Sequence, residues 1–238
     1  MADVAYLASF RVPPQNEYQV DIALAGLCHA MGEEEFEAGG VETFAIHRVP
    51  GDPGCYQLYE QYTKAADRRH GTGPKVAAAW AEVVARMVAP GERVRLDPLG
   101  VFGLAKPVGA DLADDECWRY TVRVAPDDAG QLEVIFDEIM DAMGADEFPT
   151  GEVKSYTAHR VAGDAGRYVM YEHFTALGSR SHAKGPTLPG VGMKQMALLI
   201  TPFERQPLEP MYALGTKHAA YSKTARKSVK RTPVTPPR

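Results

Sequence analysis

The sequence predicts an α+β fold in which two ferredoxin-like β-α-β-β-α-β repeats pack sheet to sheet as a pseudo-dimeric α+β barrel. Three observations lead to this prediction. The chain repeats itself after 112 residues, each copy shows the same order of strands and helices, and one strand in each copy is apolar on both faces. The length of 238 residues allows either one large domain or two of about 120.

The repeat extends over most of the chain. MGEEEFEAGGVETFAIHRVPGDPGCYQLYEQYT (31–63) aligns with MGADEFPTGEVKSYTAHRVAGDAGRYVMYEHFT (143–175), and the register continues without a gap to residues 103 and 215. About a third of the positions match. The unit is too long for a solenoid repeat and has the size of a domain. We therefore predict a first repeat, a second repeat and a basic Pro-rich tail, at residues 1–106, 107–215 and 216–238.

The elements of the first copy follow from its periodicity and its turn signals. The prediction is a strand at 4–12, a helix at 14–31 with apolar positions Tyr18, Ile22, Ala25 and Leu27, strands at 41–49 and 55–62, a helical region at 63–88 and a last strand at 93–102. Thr63 is the candidate cap of the second helix, and a bend is expected near Gly73. This order is the ferredoxin-like split unit.

The strand CYQLYEQY (55–62) requires cover on both sides. Tyr56, Leu58 and Tyr62 alternate onto one face, and Tyr59 points to the other. A strand that is apolar on both faces is expected to be buried on both. Because the helices of a ferredoxin-like unit cover only one face of its sheet, the second repeat is expected to cover the other.

Charge is unevenly distributed along the chain. The formal net charge is −5, from 26 basic and 31 acidic residues. The tail holds seven of the basic residues and no acidic ones, which leaves 19 against 31, a net charge of −12, for residues 1–215. The body is therefore not expected to bind nucleic acid. The tail reads as a flexible basic arm. It is either a solvated extension that lies on the acidic body or a contact to an acidic partner or a neighbouring subunit, and a homo-oligomer is left open.

Composition bounds the remaining function classes. A hydrophobic content of 45% and a charged content of 24% argue against disorder. The three cysteines are an odd number and give no disulfide framework, which is typical of a reducing compartment. The sequence shows no signal peptide and no apolar run of 18 residues. We therefore predict a cytoplasmic protein with no membrane segment.

Two matched runs carry a family likeness. YEQYTKAADRRHGTGP (59–74) and YEHFTALGSRSHAKGP (171–186) resemble the antibiotic-biosynthesis monooxygenase domain, with Glu-x-aromatic at a strand end and a histidine about ten residues later. The likeness covers residues 4–103 and 116–215. It implies a dimeric α/β barrel, which a tandem chain forms alone. It also implies cofactor-free oxygenation of quinols or anthrones or, in one branch, oxidative degradation of haem.

Four histidines occur in matched pairs, His47 with His159 and His70 with His182. His47 shares its strand face with two small residues, which leaves room for a ligand. Each imidazole is a candidate catalytic base. The alternatives are a hydrogen-bonded residue of the barrel wall for the first pair and a polar residue at a helix end, or a haem ligand, for the second.

Further side chains are candidates for binding an aromatic substrate. A buried carboxylate at Glu60 or Glu172 needs a cationic partner or a raised pKa. Arg48 or Arg68 is the expected partner in the first repeat, and Arg160 or Arg180 in the second. The other candidates are Tyr59, Tyr62, Trp80, Tyr171, His173 and Phe174.

Cofactors are not expected. The separations of residues 47, 60 and 70 match no metal-binding motif, although two histidines and a carboxylate could in principle hold iron. No Gly-rich phosphate loop follows a strand. Haem remains the alternative.

The repeats differ in the second helix. AAAWAEV (77–83) is a plain helical run, whereas PGVGMKQ (189–195) places Gly192 opposite Trp80 and should break or bend the helix. Two interpretations stay open. Either Trp80 plugs the first pocket while the second is open, or the second helix has drifted. His173, which replaces a glutamine of the first repeat, also favours the second repeat.

These observations lead to three hypotheses. The first is a cofactor-independent oxygenase of an aromatic quinol, anthrone or polyphenol, in which a histidine deprotonates the phenol and O2 is reduced by the resulting anion. The second is a haem-binding or haem-degrading protein. The third is a non-catalytic binding or scaffold barrel. A cavity of about 300 Å3 or more beside the paired histidines argues against the third.

Overall fold

A computed structural model describes residues 4–102, 112 and 114–215. The first repeat contains β1 (Val4–Arg11), α1 (Glu17–Met31), β2 (Val41–Arg48), β3 (Cys55–Tyr62), α2 (Lys64–Asp67), α3 (Pro74–Val84) and β4 (Glu92–Phe102). The second contains β5 (Glu116–Arg123), α4 (Ala129–Asp146), β6 (Val153–Val161), β7 (Arg167–Phe174), α5 (Ala176–Ser181), α6 (Leu188–Leu198) and β8 (Glu204–Gly215). The basic tail at 216–238 and the boundary at 106/107 lie outside the described residues.

The eight strands close into one antiparallel barrel. Each repeat supplies a four-stranded sheet, in the order β4-β1-β3-β2 and β8-β5-β7-β6. The two sheets join where β2 pairs with β8 and where β4 pairs with β6. The predicted α+β barrel of two ferredoxin-like repeats is therefore confirmed, and each of the eight described strands is paired on both sides.

Strand alternation divides the core into layers. Tyr56, Leu58 and Tyr62 of β3 pack beneath the helices of the first repeat, and Tyr59 lies inside the barrel. All eight residues of β3 are buried. The predicted burial of this strand on both faces is confirmed.

The buried face of α1 differs from the predicted stripe. Val20, Leu24 and Leu27 pack against the sheet, whereas Tyr18 and Ile22 are 74% and 58% exposed. Both sets have helical spacing. The buried set continues through Cys28 to the end of the helix, so it makes the longer apolar stripe.

The region after β3 forms two helices and not one bent helix. Thr63 caps α2 by accepting a hydrogen bond from the Ala66 N–H at 3.2 Å. The chain then turns, and α3 begins at Pro74, where the missing N–H of proline costs nothing.

The prediction of a broken or bent second helix in the second repeat is wrong. The helix α6 has the same 11 residues in length as α3. It begins at Leu188, so Pro189 falls in the first turn, where proline is tolerated, and Gly190 and Gly192 continue the helix. No helix of the described residues is long and apolar enough to cross a membrane.

Candidate functional site

The two histidine pairs lie on opposite faces of the barrel wall. His47 and His159 point into the barrel with Tyr59 and Tyr171. His70 follows α2 on the helix-covered side, where it lines a cavity with Glu60. The sheet therefore separates His47 from Glu60 and His70, so these three cannot share one metal ion. Within residues 4–102 and 114–215, no three His, Cys, Asp or Glu side chains are arranged to hold a metal.

Two crossed tyrosine–histidine pairs fill the barrel centre. The rings of Tyr59 and Tyr171 stack with centroids 4.4 Å apart and planes 20° apart. His47 Nε2 lies 2.8 Å from the Tyr171 hydroxyl, and His159 Nε2 lies 2.9 Å from the Tyr59 hydroxyl. Each of these hydrogen bonds joins one repeat to the other. The space that was expected beside His47 is occupied by aromatic rings from across the barrel.

Both barrel histidines are held neutral. Burial lowers the pKa of His47 to about 3, with a further contribution from the nearby His173. Burial likewise lowers the pKa of His159 to about 4. A neutral imidazole that shares its Nε2 with a tyrosine hydroxyl fits the barrel-wall alternative better than the role of a base.

His173 belongs to a separate buried cluster. Its Nε2 lies 2.8 Å from Asp115 Oδ2, and Lys154 donates to the same carboxylate. All three side chains are at most 7% exposed. Burial would raise the pKa of Asp115, but its hydrogen bonds to His173 and Lys154 lower it overall. The carboxylate is therefore ionised and paired.

A cavity of about 360 Å3 lies between the sheet and the helices of the first repeat. Its walls are mainly apolar and include Phe44, Leu58 and Trp80. Trp80 packs edge-on against Phe10, with centroids 6.0 Å apart, and lines the cavity without filling it. A second depression, of about 430 Å3, is lined by none of the four paired histidines.

The polar end of this cavity begins with an ion pair. Arg93 Nη2 donates to Glu60 Oε2 at 2.7 Å, and the Arg93 guanidinium lies 3.6 Å over the Tyr6 ring. The predicted ion pair between Glu60 and Arg48 or Arg68 is wrong, because Arg93 pairs with Glu60. Arg48 instead pairs with Asp21 on α1 and Glu209 on β8. The cation comes from β4, two strands away from Glu60 in the sheet.

A hydrogen-bonded chain continues from Glu60 to the helix side. The Tyr62 hydroxyl is bonded to Glu60 and lies 3.2 Å and 3.4 Å from the two ring nitrogens of His70. His70 Nδ1 is 2.9 Å from Glu35 Oε2, and Glu35 Oε1 accepts the Gly71 N–H at 2.8 Å. Because the Nδ1–H group of His70 donates its hydrogen bond to Glu35, Nε2 is the ring nitrogen that can accept a proton.

Glu35 was not among the predicted site residues. The repeat register did contain the signal, because Glu35 aligns with Glu147. In the second repeat, His182 Nδ1 lies 2.9 Å from Glu147 Oε2, and the Ala183 N–H donates to the same carboxylate. The histidine–glutamate pair is therefore present twice.

The second repeat differs from the first site at two positions. Phe174 stands where Tyr62 stands, so no hydroxyl joins the carboxyl of Glu172 to His182. The Tyr120 side chain, in the place of Ala8, is hydrogen-bonded to Glu172. The partner of Glu172 is thus a tyrosine and not Arg160, which pairs with Glu133 and Asp97.

The electrostatics of the second repeat reflect this difference. Burial raises the pKa of Glu172 to about 7. Burial would lower the pKa of His182, but the Glu147 hydrogen bond and the Glu172 charge raise it overall. The sequence favoured the second repeat as the active one, whereas the cavity with the continuous chain lies in the first.

Comparison with known proteins identifies the architecture. No family model and no curated protein matches the chain. Among solved structures, a "putative monooxygenase" from Lactobacillus acidophilus matches 93% of this chain and 100% of its own, with a TM-score of 0.80 and 11% identity. A protein of the same description from Fusobacterium nucleatum matches 93% and 98%, with a TM-score of 0.78 and 12% identity.

A third structure, described as an anthrone oxidase-like protein, matches 93% of this chain and 99% of its own, with a TM-score of 0.51 and 10% identity. Likeness at such low identity is evidence of fold and not of chemistry. The fold implied by the sequence resemblance is confirmed: the chain is similar throughout to these proteins and has their barrel architecture.

Proposed function

We propose that the chain is a cofactor-independent oxygenase and that an aromatic phenol-type substrate binds in the cavity of the first repeat. The observation that carries this proposal is an apolar cavity that ends on the chain Glu60–Tyr62–His70–Glu35. Two proteins of the same fold are described as a monooxygenase and as anthrone oxidase-like, and the proposal places this chain in the same reaction class.

The cavity suits a flat apolar ligand with one acidic hydroxyl. A volume of about 360 Å3 lies at the lower end of the range for ligand sites. Phe44 and Trp80 supply aromatic surface for stacking. Polar groups are concentrated at one end, so the ligand is oriented with its hydroxyl toward Glu60.

The hydrogen-bonded chain gives the phenol proton a path. The proton enters at Glu60, and the Tyr62 hydroxyl passes a proton on to His70 Nε2. Glu35, on the opposite nitrogen, stabilises the imidazolium that forms. The Arg93 guanidinium, close to the same carboxylate, stabilises the phenolate oxygen.

The reaction balances without an external reductant. For an anthrone-type substrate, the anion reduces O2, and one oxygen atom becomes a carbonyl at the activated carbon. The substrate reacts as its hydroxyl tautomer, so the other oxygen leaves as water with the one hydrogen of that carbon and the hydroxyl proton that His70 returns. The substrate supplies all four electrons, so the protein contributes binding, proton transfer and exclusion of water.

Oxygen uptake by metal-free protein tests the proposal. A panel of anthrones and hydroquinones is supplied to the wild type and to His70→Gln, which keeps a donor toward Glu35 but cannot accept the proton. We expect the substitution to lower kcat by about 10²-fold or more, within the usual range for a general base. The matched control is His182→Gln in the second repeat, which should retain uptake. Absence of uptake across the panel contradicts the proposal.

Haem is the alternative that the resemblance implies. The cavity is small for a four-pyrrole macrocycle, and His70 is engaged by Glu35 and Tyr62. The residues present therefore do not fit haem well. Titration with hemin decides the point, because a Soret shift that is lost in both His70→Ala and His182→Ala would replace the oxygenase proposal with haem binding. If the wild type binds neither hemin nor any of the anthrones and hydroquinones, the scaffold barrel is favoured.

A further inference from the structure

The second repeat keeps the glutamate, histidine and arginine of the first site, but its pocket contains a side chain of its own. Tyr120 is the counterpart of Ala8 in the repeat register. Ala8 pairs with Leu58 and Arg93, which line the cavity of the first repeat. Tyr120 pairs with the counterparts of those two residues, so its ring stands on the same helix-facing side.

The Tyr120 phenol is held by three kinds of contact. Its hydroxyl is hydrogen-bonded to Glu172. Its ring centroid lies 5.5 Å from the Arg205 guanidinium, which also stacks 3.5 Å over Trp118. On another side lies Phe203, with centroids 5.9 Å apart. Phe203 replaces Gly91, which lines the cavity of the first repeat.

We propose that the second repeat is a self-occupied copy of the ligand site, in which the Tyr120 ring is a built-in phenol. Removal of this ring opens a second site for a free phenol. By the same register, the phenolic ligand of the first repeat lies over Ala8 with its hydroxyl on Glu60 and its ring beside Arg93. The last statement rests on the proposed function, but the statement about the second repeat does not.

The buried carboxyl gives the opened site its selectivity. Glu172 is 2% exposed, and its Oε2 has no hydrogen-bond partner among the described residues. A buried carboxyl that loses its one hydroxyl donor requires another, because unsatisfied polar groups are costly in a low-dielectric interior. A ring that carries a hydroxyl is therefore preferred over the same ring without one.

Complementation with p-cresol, the fragment that Tyr120→Ala removes, tests the proposal. Calorimetry should give one p-cresol bound per wild-type chain and two per Tyr120→Ala chain. Ala8→Tyr copies the second repeat into the first and should bind none. Toluene should bind Tyr120→Ala about tenfold more weakly than p-cresol, since it lacks the hydroxyl. Tyr120→Phe, which keeps the ring, should gain no site.

Each result has a defined meaning. Failure of Tyr120→Ala to gain a bound p-cresol, or equal binding of toluene and p-cresol, overturns the proposal. If the wild type binds none but Tyr120→Ala binds one, the closed copy is supported and the assignment of the first repeat fails with the proposed function. If Tyr120→Ala is unfolded, p-cresol should restore its circular dichroism spectrum. An unfolded variant that p-cresol does not restore also overturns the proposal.

Discussion

Replacing both barrel histidines by glutamine should remove much of the protein's sensitivity to acid. His47 and His159 are at most 1% exposed and have pKa values near 3 and 4. In the unfolded chain an imidazole titrates near pH 6.5. Between these values the unfolded state binds more protons than the folded state, so stability falls as the pH falls.

The magnitude follows from the two pKa values. Between pH 7.5 and pH 5.0, protonation of an unfolded imidazole with a pKa near 6.5 is worth about 2 kcal/mol, and the folded imidazole remains almost unprotonated. The two residues together therefore cost the wild type about 4 kcal/mol over this interval. The glutamines of the double variant His47→Gln/His159→Gln are not ionisable and carry no such cost, while their amides can still bond the hydroxyls of Tyr171 and Tyr59.

Urea unfolding at pH 7.5 and pH 5.0 measures this effect. The loss of unfolding free energy on acidification is compared between the wild type and the double variant, so that contributions from all other groups cancel. A single variant, His47→Gln, should remove about half of the difference. If the double variant loses as much stability as the wild type, these imidazoles are not held neutral in the barrel and the structural interpretation is refuted.

Three further predictions concern single substitutions. Tyr62→Phe should lower kcat for oxygen uptake by at least about tenfold, because it removes the hydroxyl between Glu60 and His70. The variant should stay folded, since a phenylalanine, Phe174, is accommodated at the equivalent position of the second repeat. Phe174→Tyr is the control and should change uptake little, and unchanged uptake in Tyr62→Phe contradicts the proton path. Ionisation of Glu172 should cost the wild type ~2–3 kcal/mol between pH 5 and pH 8, because its folded pKa near 7 lies above the unfolded value. The unfolding free energy of Glu172→Gln should therefore rise by ~2–3 kcal/mol more than that of the wild type over this interval, and the same change in both proteins in urea unfolding would argue against it. Tyr171→Phe should lower the unfolding free energy by ~1–3 kcal/mol by leaving His47 Nε2 without its partner, and a neutral effect in urea unfolding would show that the hydrogen bond is dispensable.

The fold was predictable because it depends on patterns that a sequence displays. The 112-residue register gave two units, and the alternation along β3 placed Tyr59 opposite Tyr56 and Leu58. The first pattern is a repeat along the chain, and the second shows which face of a strand each side chain occupies. Neither depends on distances between side chains from different strands.

The contents of the barrel were not predictable from those patterns. Alternation placed His47 on a face with small neighbours, but it says nothing about rings that cross from the opposite sheet. Tyr171 lies 124 positions further along the chain than the histidine to which it is bonded. The expected room for a ligand therefore disappeared when the two sheets closed on each other.

The site was predictable in part. Glu60, Tyr62, His70 and Trp80 were singled out, and all four are brought together at one cavity or its hydrogen-bonded chain. Arg93 was missed because it reaches Glu60 across the intervening strand β1, a relation that spacing along the sequence does not reveal. Glu35 could have been found, since its match with Glu147 is visible in the register.

The choice between the repeats depended on side-chain volume more than on helix propensity. Trp80 and Gly192 suggested a plugged first pocket and an open second one. In the structure, the cavity lies in the first repeat, and Tyr120 replaces the cavity-lining Ala8 on the corresponding strand of the second. Helix propensity was also overridden, since Pro189 lies in the first turn of α6 and its cost there is small.

Fusion of the two repeats explains how one pocket can close while the other stays open. In a symmetric dimer of identical chains, a substitution enters both pockets at once. A change from alanine to tyrosine at the pocket floor would then close every site. In this chain the two positions, Ala8 and Tyr120, are separate residues. One half can thus gain packing from a half-buried ring while the other keeps the space for a ligand, and both still share the closed barrel and its crossed tyrosine–histidine pairs.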